Sequence, residues 1–249
     1  MPTALITGAS SGIGLEIARI LARDHDVVLA ARSVDKLEAL ATEIGGGARA
    51  IAVDLSDPSG PRKLIAEVPA VDVLVNNAGF ADWGPFADAP EAKLDGMIEL
   101  NVGALTRLTR AYLPGMVERG RGRVLNLAST ASFQPGPLMA VYYATKAYVL
   151  SLSEALAEEN RGTGVTVTAL CPGPTASGFQ ARAAMEESRL VKGRKLPSAA
   201  SVAEYGVKAM NRGDVVAVPG LVNKVMAGSV RFSPRPVIRR VVHRIQDAK

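Results

Sequence analysis

Thr3-Ala4-Leu5-Ile6-Thr7-Gly8-Ala9-Ser10-Ser11-Gly12-Ile13-Gly14 is the stretch that decides the fold. It opens with a short, apolar, β-prone run and continues with glycines at 8, 12 and 14; Ile13, Ile17, Ile20 and Leu21 then fall on one helical stripe. In a strand, glycine-rich turn and helix arrangement the backbone turns tightly and approaches a pyrophosphate, whose charge sits at the helix N-terminus. In isolation the turn reads equally as an ordinary glycine turn. As the opening of a βαβ unit it points to a dinucleotide cradle.

The remaining chain alternates in the same way. Strands are predicted at 26–31, 48–53, 72–75, 123–127, 165–170 and 215–218. Helices are predicted at 35–44, within 58–68, along a stretch from about Pro90 to Glu118, and from about Ala140 to Asn160. This alternation predicts an α/β fold, a doubly wound parallel sheet of about seven strands with helices on both faces, with ligands at the C-terminal strand ends. Gly8, Asn76, Ser129 and Pro172 all follow strands at those ends.

Composition bounds the reading. The 249 residues are 48% hydrophobic and only 4% aromatic, which suits aliphatic packing of a buried parallel sheet. No repeat, low-complexity tract or long linker divides the chain, so residues 1–249 are expected to form a single domain. One cysteine, Cys171, excludes an internal disulfide and reads as a small buried residue at the end of an apolar run. His25 and His243 stand apart from each other and from Cys171, so no metal site is expected. No charged leader precedes an apolar stretch, and no run of 18 apolar residues occurs; a cytoplasmic location is the expectation.

Tyr142 and Lys146 are four residues apart in Tyr142-Tyr143-Ala144-Thr145-Lys146, and Ser129 lies thirteen residues upstream. Four residues on a helix is about 400° of rotation, so both side chains project from one face. A fixed ammonium beside a phenol favours phenolate, and is expected to lower the Tyr142 pKa. A hydroxyl from another segment could share the oxygen that receives the proton.

Together these residues resemble the short-chain dehydrogenase/reductase family over most of the chain. Thr7-Gly8-Ala9-Ser10-Ser11-Gly12-Ile13-Gly14 is similar to its Thr-Gly-x-x-x-Gly-x-Gly motif, and Asn76-Asn77-Ala78-Gly79 to its Asn-Asn-Ala-Gly element. Asn101, Ser129, Tyr142 and Lys146 fall where its catalytic set is expected, and Cys171-Pro172-Gly173-Pro174-Thr175 resembles the stretch that meets the nicotinamide end. The resemblance implies a cofactor site drawn from Gly8, Ser10, Ser11, Gly12, Ile13, Gly14, Asn76, Ala78, Gly79, Tyr142, Lys146, Pro172, Gly173 and Thr175. It implies that Lys146 bonds the nicotinamide ribose, that Asn101 holds a water in a proton relay through Lys146, and that the chain forms a homodimer or homotetramer. It also selects Tyr142 over Tyr143, because only Tyr142 stands at the family's interval from Ser129.

Charge argues the phosphate preference. The second strand runs into Ala31-Arg32-Ser33, with no acid to hydrogen-bond a ribose 2′-hydroxyl; Arg32 instead offers a guanidinium to a 2′-phosphate. NADP(H) is therefore predicted over NAD(H), with Arg32, Ser33, Asp54 and Leu55 around the adenosine. Asp54 resembles the family's adenine-contacting acid but could equally cap a turn. The reaction implied is hydride transfer to or from a carbonyl or secondary alcohol, with Tyr142 as general acid/base and Ser129 holding the substrate oxygen. An NAD(H)-dependent alcohol dehydrogenase and a non-catalytic nucleotide-binding scaffold remain the alternatives.

Phe80, Trp83, the 133–139 stretch and a lid over 175–197 are the expected walls of the substrate pocket. Residues 229–249 form a basic tail: six Arg or Lys against Asp247 give +5, equal to the net charge of the whole chain. Val237, Ile238, Val241, Val242 and Ile245 make that tail amphipathic, suited to packing on its own domain or a neighbouring subunit, or to an anionic membrane surface. Nucleic-acid binding is not expected, because neither aromatic interleaving nor a recognised binding motif accompanies the charge.

Overall fold

Buried on both faces, the central strands carry side chains that alternate between two separate cores. The computed structural model describes residues 1–247 except 184, 186, 187, 192 and 194. Its strands are β1 (Thr3–Thr7), β2 (Asp26–Ala31), β3 (Arg49–Ala52), β4 (Val73–Asn76), β5 (Gly122–Leu127), β6 (Val165–Leu170) and β7 (Val216–Ala217). All pair in parallel in one seven-stranded sheet of order β3-β2-β1-β4-β5-β6-β7. The order reverses between β1 and β4, where a doubly wound sheet opens a crevice at its C-terminal edge.

Ala4, Ile6, Val27, Leu29, Val73 and Val75 face one layer, formed by α1 (Gly12–Leu21), α2 (Val34–Ile44) and α8 (Ala199–Arg212). Leu5, Val28, Ala30, Leu74 and Val124 face the other, toward α3 (Gly60–Glu67) and α5 (Leu105–Glu118). The predicted stripe on α1 is the packed one: Ile13, Ile17 and Leu21 are buried, and Ile20 packs at its edge. Fully burying such a side chain contributes roughly 1.5–3 kcal/mol. α6 (Ala140–Glu159) lies beside α5 and covers the sheet through Val149 and Leu150.

The long stretch expected at 90–118 is three pieces: α4 (Glu91–Ile98), a π-helical turn (Glu99–Ala104) and α5. The wider turn swings Asn101 inward, where its amide brackets the backbone of Phe80. After β6 come α7 (Phe179–Arg182) within the lid, then α8 and β7, and finally α9 (Leu221–Ser229) and α10 (Arg235–Gln246). Of the expected lid, residues 184, 186, 187, 192 and 194 lie outside the described residues, as do residues 248 and 249 of the tail.

Candidate active site

Thr7 ends β1 with its hydroxyl turned into a junction between two loops. Its Oγ1 donates to Val75 O and accepts from the backbone N–H of Asn77 and Ala78, each at 3.0 Å. Asn77 returns the brace: its Nδ2 donates to Thr7 O (2.9 Å) and Gly8 O (3.1 Å). Gly8 and Gly12 hold φ of +67° and +60°, the left-handed region that favours glycine. A Cβ on Gly14 would stand 2.2 Å from Asn77 Nδ2 and 2.6 Å from Gly8 O. Gly14→Ala therefore expels the Asn77 brace, and the expected cost is roughly 1–3 kcal/mol, read as a fall in Tm of several degrees by thermal denaturation.

Above this junction lies a crevice of about 400 Å³. Gly8, Ser10, Ser11, Gly12 and Ile13 line one end, at an α1 N-terminus that no side chain caps, so its first N–H groups are available to an anion. Arg32, Ser33, Asp54 and Leu55 line the stretch beyond. Ala78 and Gly79 line the middle, and Ser129, Tyr142, Lys146, Pro172, Gly173 and Thr175 the far end. The cradle fits a phosphorylated dinucleotide: it joins close-approach glycines, free helix N–H groups and cations in one cleft.

Three expected residues sit elsewhere. Gly14 packs against Asn77 rather than onto the crevice. Asn76 is 3% exposed and shares the strand parity of Leu74, so it points toward α5, donating to Thr109 Oγ1 and Asn126 Oδ1, both at 2.9 Å. The side chain of Asn76 is thus not on the crevice wall, and Asn77, the next residue, braces the glycine loop. Asn101 is 1% exposed and spends its side chain on Phe80 N, Phe80 O and Thr145 Oγ1. It flanks Gly79 together with Lys146, and its side chain is absent from the crevice wall.

The sequence reading missed Lys36, Asn77, Arg182 and Gln246. Lys36 lines the crevice from the first turn of α2, four residues after Arg32 in the sequence. Arg182 on α7 donates to Ser11 Oγ at 3.2 Å, so the segment after β6 brings a cation to the glycine loop. Gln246 lines the crevice from the end of α10, 1% exposed, with Nε2 donating to Tyr143 Oη at 2.5 Å. No local pattern announces a contact between residues 103 positions apart.

Phe80 and Trp83 stand behind the wall rather than on it, packed with Tyr142, Tyr143, Met185, Ile238 and Val242. Met139 alone represents the 133–139 stretch on the crevice, while Phe179, Met185 and Leu190 of the lid line it as expected. The Trp83 indole N–H donates to Gln246 O at 3.0 Å, fastening the last turn of α10 beneath the pocket.

At the far end, Tyr142 and Lys146 rise from one face of α6, the lysine Nζ 5.8 Å from the phenol ring centroid and 2.5 Å from Leu127 O. Ser129 enters from the end of β5, held by Ala131 N and Ser132 Oγ. Electrostatics depart from the sequence expectation: burial pushes the Tyr142 phenol up, and the Ser129 hydrogen bond opposes it only partly. Burial pushes Lys146 down to about 8, and its charge does not offset the desolvation of the phenol. Cys171 is fully buried, its thiol pushed up to about 12 by burial, which fits packing rather than nucleophilic work. Asp54 Oδ1 accepts from Ser56 N (2.9 Å) and Ser56 Oγ (2.6 Å), so it caps a turn while lining the crevice.

Comparison with known proteins agrees with this geometry. The short chain dehydrogenase family profile matches residues 2–188. A short chain dehydrogenase of Pseudocercospora fijiensis is 41% identical over 186 residues, covering 70% of this chain and 60% of that one. The NADP-dependent 3-hydroxy acid dehydrogenase YdfG of Salmonella typhimurium is 39% identical over 175 residues, covering 68% and 71%. A solved short-chain dehydrogenase from Sphingobium yanoikuyae in complex with NADPH is 32% identical, with a TM-score of 0.83 over 93% of this chain and 94% of that one. The matched region thus spans about 60% of the length of the Pseudocercospora relative. With its parallel sheet, braced glycine loop and Ser-Tyr-Lys cluster, the chain belongs to the short-chain dehydrogenase family of oxidoreductases.

Proposed function

We propose that the protein is an NADP(H)-dependent reductase of small-molecule carbonyls, with the reverse oxidation of secondary alcohols, and that residues 1–249 act as one domain. The observation that carries the reading is one crevice lined at one end by the uncapped α1 N-terminus and at the other by Ser129, Tyr142 and Lys146. When bound, the nicotinamide cofactor supplies or accepts the hydride at the substrate carbon. The protein's part is binding, orientation and the proton. Ser129 Oγ holds the substrate oxygen, and Tyr142 Oη delivers its proton there. Burial keeps that phenol protonated at neutral pH, the form reduction requires. Lys146 fixes the ribose side and steadies the phenolate left behind, while Asn101 positions Phe80 and Gly79 beside it.

Arg32 and Lys36 at the rim support a 2′-phosphate, and the NADP-dependent and NADPH-bound relatives point the same way. The apolar lid residues Phe179, Met185 and Leu190 support a medium-sized apolar carbonyl. Exposed Ile98 and Tyr148 on α4 and α6 support a homodimer or homotetramer. The test is NADPH oxidation against a broad carbonyl panel, with Tyr142→Phe as control; no turnover of any carbonyl overturns the reading. For the cofactor, Arg32→Ala is expected to weaken NADPH binding roughly 10–100-fold and leave NADH nearly unchanged, by fluorescence titration. Equal wild-type dissociation constants for NADPH and NADH would reject the 2′-phosphate assignment.

A further inference from the structure

We propose that the outer face of α9, the turn after it and α10 docks on an anionic bilayer surface. Among the described residues, fourteen large apolar side chains are exposed, and eight of them lie between residues 221 and 245. Leu221, Val222, Val225 and Met226 form one stripe on α9, a helix that buries none of its residues. Leu221 is 77% exposed, and Phe232, on the turn between the two helices, is 90% exposed. On α10 two parallel stripes divide the labour. Ile238, Val242 and Gln246 pack inward onto the pocket wall, while Val237, Val241 and Ile245, one position earlier in each turn, face out.

Charge selects the occupant. Residues 215–246 contain Lys224, Arg231, Arg235, Arg239, Arg240 and Arg244 and no acid. The five arginines are exposed, and among the described residues none of the six cations forms an ion pair. Arg240 and Arg244 flank the outward stripe of α10 on the side away from the stripe packed onto the domain, where their stems can lie along it and their guanidinium groups reach outward. A second copy on this surface would set six cations against six. A bilayer bearing anionic headgroups takes both features at once: acyl chains accept the apolar stripes, and the headgroups accept the arginines. No helix among the described residues is long and apolar enough to cross a membrane, so the contact is interfacial. Because Gln246, at the end of the inward stripe of α10, lines the crevice, docking would hold that wall at the lipid surface.

The experiment is sedimentation of the full chain with phosphatidylcholine vesicles, with and without roughly a third phosphatidylglycerol, over a salt series. The protein is expected to pellet with the anionic vesicles and to be released as salt rises. Arg240→Gln with Arg244→Gln is expected to weaken this binding roughly 25-fold, about fivefold for each charge removed near such a surface. Val225→Ser with Phe232→Ser is expected to weaken it as well, with Tm and NADPH affinity retained because both side chains are exposed. Failure to pellet with anionic vesicles, or pelleting that both double variants leave unchanged, overturns the proposal. A change of oligomeric mass in the Val225/Phe232 variant without vesicle binding by the wild type assigns the surface to a second copy instead. Pelleting needs no turnover, so its outcome is independent of the carbonyl assay.

Discussion

Tyr142→Phe is expected to lower kcat for the proposed carbonyl reduction by roughly 10²–10⁴-fold, the range for removing a positioned general acid, with NADPH affinity within a few-fold of wild type. The substitution deletes one oxygen and leaves the ring packed against Tyr143 and Phe179, at centroid separations of 6.1 and 5.6 Å. Loss of turnover is therefore not a loss of the pocket. The control is its neighbour. Tyr143 also lines the crevice, but its hydroxyl is engaged by Gln246 Nε2, and it stands about 100° further round α6. Tyr143→Phe is expected to keep most of kcat and to raise KM by loosening the α10 latch. The two variants reversing roles in steady-state kinetics would overturn the assignment of the acid.

Lys146→Met separates activity from stability in opposite directions. Turnover is expected to fall by at least roughly 10²-fold, because on the proposed mechanism the phenolate formed after proton transfer loses its ammonium. Stability at neutral pH rises. The lysine is buried and held at about 8 rather than the 10.5 of a solvated lysine, which corresponds to roughly 3 kcal/mol for keeping the charge in that environment. Losing the hydrogen bond to Leu127 O gives back roughly 1 kcal/mol, leaving a Tm gain of about 5 °C. The sign follows from proton counts: between pH 8 and about 10 the unfolded chain binds more protons than the folded one, so wild-type stability rises with pH in that window. The advantage of the methionine variant is thus greatest below pH 8 and shrinks toward pH 10, as thermal melts across that range would register. A variant that melts below wild type at pH 7 would show that the bond to Leu127 outweighs the desolvation.

The parallel sheet was legible because its determinants are local: β2 and β6 run over the residues their apolar runs mark, and the α1 stripe is the packed face. The glycine loop and the Ser129-Tyr142-Lys146 cluster were legible for the same reason, each written within a short window. What escaped depends on direction and on distance. Asn76 and Asn77 are indistinguishable as a dipeptide; strand parity sends the first toward α5 and the second to the loop. The π turn at Glu99–Ala104 has the composition of ordinary helix, and its Asn101 bonds to Phe80, 21 residues away, are not written in any short window. The sign of the Tyr142 shift escaped because a sequence lists neighbouring charges but not the solvent removed from around them.

The protein has a single tryptophan, and its indole N–H ends on the carbonyl of Gln246. Any event that lifts the end of α10 from the pocket frees that N–H to water and takes the ring out of an apolar cluster. Release of the latch therefore reads out as a red shift of intrinsic emission from one known position, without labels and without a second chromophore of its kind to subtract.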